Sequence, residues 1–449
     1  MNAQSQPMVF VYWPAAPLTE SLVRMSLTNL GLANIVSSVP TPPLSAKLVQ
    51  WATYDHIDHV LTASDPDVVL SSSYTIRKAL IRKHFLARCI QSYLAKHSDS
   101  FLTKSVPRTW DVEISHADEL DELWSDELWE LNNELEMGKS TKWYILKPGM
   151  ADRGMGIRMF HDKNSLYRIF LEFDGDHEDE ETDDVGTSVM TSQLRHFVIQ
   201  EYLSTPLLLD PYEISRSAHL EGDASRVLQG YKFHLRSYVV TSGAIAVYMY
   251  EHILALFSAE AYREPSTLFA TSDISLGPHL TNTSLQTRRG EEGVRLLDEL
   301  IGCHILSCGE KLDHDSVLRA SDILAIKKQM AVALSETFKA SLEQPVHFQP
   351  LPNAFELYGI DFLVSHEPTN CTASDRSLCL QVKLLEINAE PAIELTGPRL
   401  SWILEDLFKS IGRVCIQPFF DKAANVDDWG VGEVRYDLRK CLDTPVRCW

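Results

Sequence analysis

The chain is short of positive charge. Its 449 residues carry 41 lysines and arginines against 62 aspartates and glutamates, a formal net charge of −21 at pH 7. So acidic a surface repels phosphate backbones and anionic lipid, which argues against direct nucleic-acid binding and membrane attachment. Long hydrophobic runs are missing too: no window approaches the about 18 apolar residues that a membrane helix needs. The first basic residue is Arg24, so no positively charged leader opens the chain and no secretory signal is expected. Cysteine is sparse, eight in all, and no CxxC pair occurs. Structural zinc and a disulfide framework are therefore not expected, and a reducing, cytosolic or nuclear compartment fits best, of which the cytoplasm is taken.

What is present is globular. Hydrophobic residues make up 45%, enough for a large core, and the length suits roughly three domain-sized units. Residues 8–13 form a short apolar run closed by Pro14, residues 21–35 have helical apolar spacing, and residues 67–70 are a second short run. Strand, helix and strand in that order imply a parallel sheet. Residues 76–97 read as one helix carrying Arg77, Lys78, Arg82, Lys83 and Arg88. That stretch is either a solvated face or an anion-binding one.

Further along, residues 106–110 read as extended and 117–137 as an acidic helix, while 143–147 and 196–203 read as strands. Between those strands, residues 172–184 hold nine carboxylates in thirteen positions. That stretch repels itself and is expected to be a disordered surface loop. Residues 230–241 and 244–250 read as a hairpin through Ser242-Gly243. Residues 291–302 and 311–342 read as mostly helical, 355–364 and 378–387 as a second strand pair, and 400–411 as a closing helix. The last thirty residues look polar and irregular.

Three constellations carry chemistry. In the first, Ile145-Leu146-Lys147-Pro148 delivers a lysine to the end of a strand, and Gly149, Gly154 and Gly156 follow. Such glycines let backbone N–H groups close over phosphate oxygens, although a plain hairpin turn reads the same way. In the second, Glu386 and Asn388 lie two apart on one strand face, with Leu385 and Ile387 on the other. If that strand pairs with the one holding Asp361, three oxygen ligands of the kind Mg²⁺ prefers converge. In the third, Lys232, His234 and Arg236 alternate along one strand face, which suits phosphates or a carboxylate.

With these motifs on view, the sequence resembles the tubulin–tyrosine ligase family, of fungal type, a branch of the ATP-grasp ligases. The run 145–157 is similar to the family's glycine loop. Val198-Ile199-Gln200-Glu201-Tyr202-Leu203 is similar to its adenine hinge and Lys232-Phe233-His234-Leu235-Arg236 to its "Lys-Phe-x-x-Arg" strand. His279-Leu280-Thr281-Asn282, Phe355 to Asp361 and Leu385-Glu386-Ile387-Asn388 follow in the family's order.

The resemblance implies an α+β ATP-grasp fold. Its lobes would be a Rossmann-like N-terminal lobe at 1–75, a central lobe at 76–203 with the acidic insert 172–184, and a C-terminal lobe with the metal site at 204–420. A tail at 421–449 would follow. ATP and Mg²⁺ are the implied cofactors. Lys147 would meet phosphates and Lys232 would also reach the nucleotide, with Gly154, Gly156, Thr281 and Asn282 binding it too. Gln200, Glu201, Tyr202 and Leu203 would bracket adenine. Asp361, Glu386 and Asn388 would hold the metal. Arg236, Lys232 and His234 would form the catalytic strand, with Arg236 on the carboxylate of the amino acid or on the acyl phosphate.

The implied reaction joins a free amino acid to a protein carboxylate, on an acidic, tubulin-like tail. The alternative is an altered ligase that serves as an interaction module among cytoplasmic messenger-decay proteins, and a monomer is expected either way. The family pattern is broken in three places. His234 replaces an Asp, residues 253–258 lack an arginine until Arg263, and Thr283 stands where an aromatic is common.

Overall fold

A computed structural model describes residues 6–136, 142–150, 155–175, 195–213, 227–266, 275–281, 290–307, 316–367, 379–421 and 429–445. The chain opens as β1 (Met8–Tyr12), α1 (Pro17–Asn29), β2 (Ile35–Val36), β3 (Leu48–Ala52), α2 (His59–Ser64) and β4 (Val69–Ser71). The four strands form a parallel sheet in the order β2-β1-β3-β4. Sequence reading misses β3 because Gln50 interrupts its apolar run. Inside the fold that amide is paired, reaching Thr62 Oγ1 at 3.1 Å and Ser71 Oγ at 3.3 Å, so it can be buried. α1 starts four residues earlier than its apolar spacing suggests, with Pro17 in its first turn.

The basic stretch is not one helix. It breaks at Arg82, whose backbone is extended, into α3 (Lys78–Ile81) and α4 (Lys83–Lys96), followed by α5 (Leu102–Ser105). Leu80, Leu86, Cys89, Ile90 and Tyr93 join the same buried cluster as Phe233 and Leu235. These helices therefore pack on the C-terminal sheet, and α4 also borders Thr109, Val198 and Gln200 of the central lobe. The acidic helix is also interrupted. A turn at Ala117–Glu119 leads to α6 (Leu120–Leu123) and, after further turns, α7 (Trp129–Glu136), with Leu120, Leu128 and Leu131 pinned in the core.

The central sheet is antiparallel, β5 (Thr109–Glu113), β8 (His196–Glu201), β6 (Tyr144–Pro148) and β7 (Arg158–Phe160) in that order. Against it packs α8 (Lys163–Gly175). Residues 172–175, expected to be disordered, are thus helical. Leu166, Ile169, Phe170 and Phe173 recur at helical spacing and are all buried, and this apolar stripe outweighs the acidic composition. Residues 176–184 lie outside the described residues.

The C-terminal lobe is one large sheet. It contains β9 (Leu208–Leu209), β10 (Tyr231–Ser242), β11 (Ala246–Tyr250), β12 (Leu254–Phe257), β13 (Val294–Leu296), β14 (Phe355–His366), β15 (Leu380–Ala389), β16 (Val434–Arg435) and β17 (Leu438–Asp443). Residues 291–302 are not one helix: β13 runs through them and pairs with β12, between short 3-10 helices at Gly290–Gly293 and Leu297–Leu300. Nor is the tail irregular. β17 pairs with β11, and Lys440 enters the sheet because its Nζ donates to the Trp429 carbonyl at 2.8 Å. One sheet face packs on the helix Ala320–Leu342, the other on the N-terminal lobe and the helix Ser401–Ile411.

Among the described residues no helix is long and apolar enough to cross a membrane. Cys89, Cys303, Cys415 and Cys441 are free and buried, whereas Cys379 is disulfide-bonded, a departure from the fully reduced state expected.

Candidate functional site: a cleft between two sheets

The central and C-terminal sheets enclose a cleft of about 650 Å³, counting its open mouth. β6 brings Ile145 and Lys147 to it and β8 brings Gln200. β8 also brings Glu201, and the segment after it brings Tyr202 and Leu203. β10 supplies Lys232 and His234 from the opposite side, and β14 and β15 supply Asp361 and Glu386. Residues from most of the chain's length meet here.

Lys147 and Lys232 are both buried. The Lys147 Nζ donates to Gln200 Oε1 at 2.7 Å, and the Lys232 Nζ sits 4.2 Å from the Tyr202 ring centre. Among the described residues neither lysine has a carboxylate in ion-pair range. Burial pushes Lys147 down to about 8 against the pull of Glu386, with Lys83 adding to the fall. Burial, and then the charge of Lys147, pushes Lys232 down to about 7. Two amines held this way want an anion.

Facing them is a row fixed by register. Arg236 on β10 stands opposite Asp361 on β14, which stands opposite Glu386 on β15. Arg236 grips Asp361 with two hydrogen bonds, one of them from Nη2 at 2.9 Å. Burial opposes its charge, but Asp361 holds it firmly protonated. Glu386 pairs with Lys83 at 3.2 Å and accepts from the Asn388 amide at 3.3 Å. Although burial pushes Glu386 up, Lys83 and Lys147 hold it well below the usual carboxylate range. His234 shares its Nδ1 with the Thr281 hydroxyl at 2.7 Å. Its Nε2 is buried without a hydrogen bond, 3.7 Å from Asp361. Burial, opposed by Asp361, holds it neutral at lower pH than usual.

One expectation about this row fails. Leu385 does not point away from Glu386, because it also lines the cleft. The register shifts between Asp361 and Phe362, and the bulge re-aims Leu385. Arg236 and Asn388 stand beside the cleft residues without lining the cavity, and Gly156 sits at its margin with φ 70, a conformation that favours glycine. Gly154, Asn282 and Thr283 lie outside the described residues. The glycine loop joins an antiparallel strand pair, so its frame is a hairpin. At its start Gly149 is obligatory, since a Cβ there would meet His84 Nδ1 at 2.7 Å.

The tubulin-tyrosine ligase family profile matches residues 64–424. The chain belongs to that family. It is 36% identical over 396 residues to a probable tubulin–tyrosine ligase of Schizosaccharomyces pombe, covering 84% of this chain and 85% of the relative. It is 34% identical over 443 residues to the probable tubulin–tyrosine ligase PBY1 of Saccharomyces cerevisiae, covering 94% of this chain. The chain spans about half of that relative's length, 52%. Among solved structures it is similar to the C-terminal domain of K. lactis Pby1, described as an ATP-grasp enzyme interacting with the mRNA decapping enzyme Dcp2. The TM-score is 0.65 at 28% identity, covering 98% of this chain and 100% of that one. The fold is therefore the α+β ATP-grasp fold, with the cleft between its two sheets.

The family's nucleotide and metal can be tested against these residues. Two buried lysines with no carboxylate partner among the described residues fit a polyphosphate. Two register-paired carboxylates and a neighbouring amide oxygen form a hard-oxygen donor set that fits Mg²⁺. Among the described residues no cluster of three or more His, Cys, Asp and Glu forms a metal site, so the third donor would be Asn388 or come from ligand and water. Sequence reading misses the apolar walls, Ile145, Ile157, Leu280 and Leu363. The strand and loop pattern names neighbours in sequence, and only folding shows which apolar side chains face the ligand.

A phosphate between the lysines restores their full charge. Mg·ATP binding is therefore expected to take up protons between about pH 7 and 8.5, with uptake vanishing towards pH 6, where both amines are already charged. Affinity should fall as the pH rises further. Calorimetry in buffers of different ionisation enthalpy checks this, and heats independent of buffer at pH 7.5 would remove both lysines from the phosphate site.

Proposed function

We propose that the chain is an ATP- and Mg²⁺-dependent ligase that joins an amino acid to a protein carboxylate through an acyl phosphate. The observation that carries this reading is the pair of buried lysines Lys147 and Lys232, without carboxylate partners among the described residues, facing the row Arg236, Asp361 and Glu386. The lysines neutralise phosphates, and Gln200 to Leu203 line the adenine end. Glu386, Asp361 and Asn388 hold Mg²⁺, which supplies charge neutralisation on the phosphates. Arg236 keeps Asp361 oriented and lies at hand for a substrate carboxylate.

For the acceptor, an acidic tail of tubulin type has less to hold than the basic stretch suggests. Arg77 is buried against Glu356, Lys83 pairs with Glu386 and Arg88 with Asp111. Lys78 and Arg82 are the cations of that stretch left for it among the described residues. The second reading, an interaction module for mRNA-decay proteins in cytoplasmic P-bodies, is favoured by His234 in place of the family's Asp and by the K. lactis neighbour's Dcp2 interaction. Both readings take the chain as a cytoplasmic monomer with no membrane or nucleic-acid partner.

Calorimetry with Mg·ATP on the purified chain separates them. Binding, followed by transfer of a labelled amino acid to a tail peptide, is the ligase result. No binding at millimolar ATP, weaker than about −4 kcal/mol, overturns it and leaves the interaction module. Glu386→Gln should reduce Mg·ATP affinity to that of ATP in EDTA while leaving the metal-free value unchanged. Retained Mg²⁺ enhancement in that variant would take Glu386 out of the metal site.

A further inference from the structure

Two histidines meet where the lobes join. His84, in the first turn of α4, stacks on His196, the first residue of β8, with ring centres 4.6 Å apart and planes 13° from parallel. α4 packs on the C-terminal sheet and β8 belongs to the central one, so the stack bridges the two sides of the cleft. The backbone of Gly149, just past the end of β6, closes over it. Its N–H donates to the His196 carbonyl at 2.7 Å, and a Cβ there would stand 2.7 Å from His84 Nδ1. The end of β6 is therefore seated directly on the imidazoles. Lys147 lies two residues back on the same strand.

This joint disfavours a proton. His84 is 4% exposed, and its Nδ1 and that of His196 are buried without a hydrogen-bond partner among the described residues. The charged and titratable groups around His84 are His196 on β8, Asp111 on β5, Arg88 on α4 and Arg82 just before it. Asp111 is the anion among them, and Arg88 already binds it. Glu113 on β5 stands 3.8 Å from His196 Nδ1 and is exposed. Of the other groups along α4, Lys83 faces Glu386 and the Phe85 ring faces His347, while the pairs Tyr93–Glu336 and His97–Glu343 lie at the helix's other end. His84 also sits at the positive end of a 14-residue helix. Burial, then His196 and Arg88, push His84 down to about 4, against the pull of Asp111. An imidazolium here would meet a stacked ring, two arginines and a helix N-terminus, with no free acceptor to offset its lost hydration.

We propose that the His84–His196 stack is a proton-released latch between the lobes: neutral, it seats the ends of β6 and β8 on α4, and a proton on His84 unseats them. The neutral stack is held by flat ring packing and by the close approach of Gly149. A protonated ring needs water, and parting α4 from β8 supplies it. Unseating loosens the strand end that carries Lys147, which couples the cleft to pH. An open joint leaves His84 titrating near its ordinary 6.5, against about 4 when shut. Stability of the shut form is therefore complete above about pH 6.5 and falls as the pH drops towards 4, and linkage favours opening about 8-fold between pH 7 and 5.5. The latch does not rest on the ligase reading, because it is read without nucleotide or turnover.

The test is hydrogen–deuterium exchange of the full chain, without ligand, at pH 7 and pH 5.5, with each rate divided by its intrinsic rate. Peptides over residues 144–149 and 196–201 should lose about 8-fold in protection at pH 5.5, while those over β11 and β17 of the C-terminal sheet keep theirs. His84→Phe keeps a flat ring against His196 and Gly149 but takes no proton, so the loss should disappear. His84→Gln is a second variant without a titrating ring and should behave the same way, and circular dichroism at pH 7 confirms that each is folded. Equal loss of protection in every sheet would mean ordinary acid unfolding. Unchanged protection at pH 5.5 would mean that the joint stays shut. Both of those readings come from the unsubstituted chain and need no variant. A local loss that survives in the His84 variants would place the proton elsewhere. Each of the three results overturns the latch.

Discussion

Lys232→Met is expected to weaken Mg·ATP binding by between about 10- and 150-fold, the range of one lost charge-assisted hydrogen bond, and at the same time to stabilise the fold. Lys232 is 5% exposed, and its amine rests on the Tyr202 ring with no carboxylate partner among the described residues. In the unfolded chain a lysine titrates near its ordinary 10.5, whereas here burial and Lys147 bring it down to about 7. Between those values the unfolded state binds the extra proton. Lys232 therefore lowers stability progressively as the pH falls from about 10 to 7, and the penalty levels off below 7. Methionine keeps the stem's packing and removes the charge. The gain in urea midpoint should be clear at pH 7 and vanish near pH 10.5. Unchanged nucleotide affinity, or a variant less stable than the parent at pH 7, would show that Lys232 is a structural residue with a partner of its own.

The second large effect concerns the joint between the lobes. Arg77, just after the N-terminal sheet, is 8% exposed and bonded to Glu356 at the start of β14, itself 2% exposed. Its guanidinium also lies 4.3 Å from the Tyr54 ring centre. Glu356 further accepts the Tyr74 N–H at 3.2 Å and the Tyr358 hydroxyl at 2.7 Å. Removing one partner of a buried pair strands the other, so Arg77→Ala should cost about 3–5 kcal/mol in urea unfolding. Burial already pushes the Glu356 carboxyl up, with Arg77 opposing the shift. In the variant the carboxyl rises further, so the loss should be largest near neutral pH and shrink in acid as Glu356 takes a proton. Arg77→Met combined with Glu356→Gln removes both charges, keeps an acceptor for Tyr74 and Tyr358, and should recover most of the loss. A small single-variant effect, or no recovery in the double variant, would mean that the pair is replaceable by water.

Much of the site is legible in the sequence because its chemistry is carried by unusual residues in short periods. A lysine at the end of a strand before glycines, three basic residues alternating on β10, and Glu386 two residues from Asn388 are local patterns, and strand geometry alone puts each set on one face. The order of these motifs carries the resemblance to the family, and the profile over residues 64–424 bears it out.

Where a local signal competes with packing, the sequence misleads. The acidic residues 172–175 look unfoldable, yet Phe170 and Phe173 anchor them as helix on the central sheet. The tail looks irregular, yet β17 completes the sheet edge beside β11. The basic stretch looks like one charged helix, yet three of its five named cations are spent on Glu356, Glu386 and Asp111. These partners lie 279, 303 and 23 positions away, by subtraction of residue numbers.

By itself the sequence determined most of the elements and, through the order of its motifs, the resemblance to the family, and it pointed to the polar residues proposed for a phosphate and metal end, since each rests on a pattern spanning about a dozen residues. Only the tertiary structure decided that Arg236 is tied to Asp361, that Leu385 turns into the cleft, which apolar walls line it, and that His84 stacks on His196. Those features depend on cross-strand register, a one-residue bulge and the meeting of lobes far apart in the chain, and a one-dimensional pattern does not encode them.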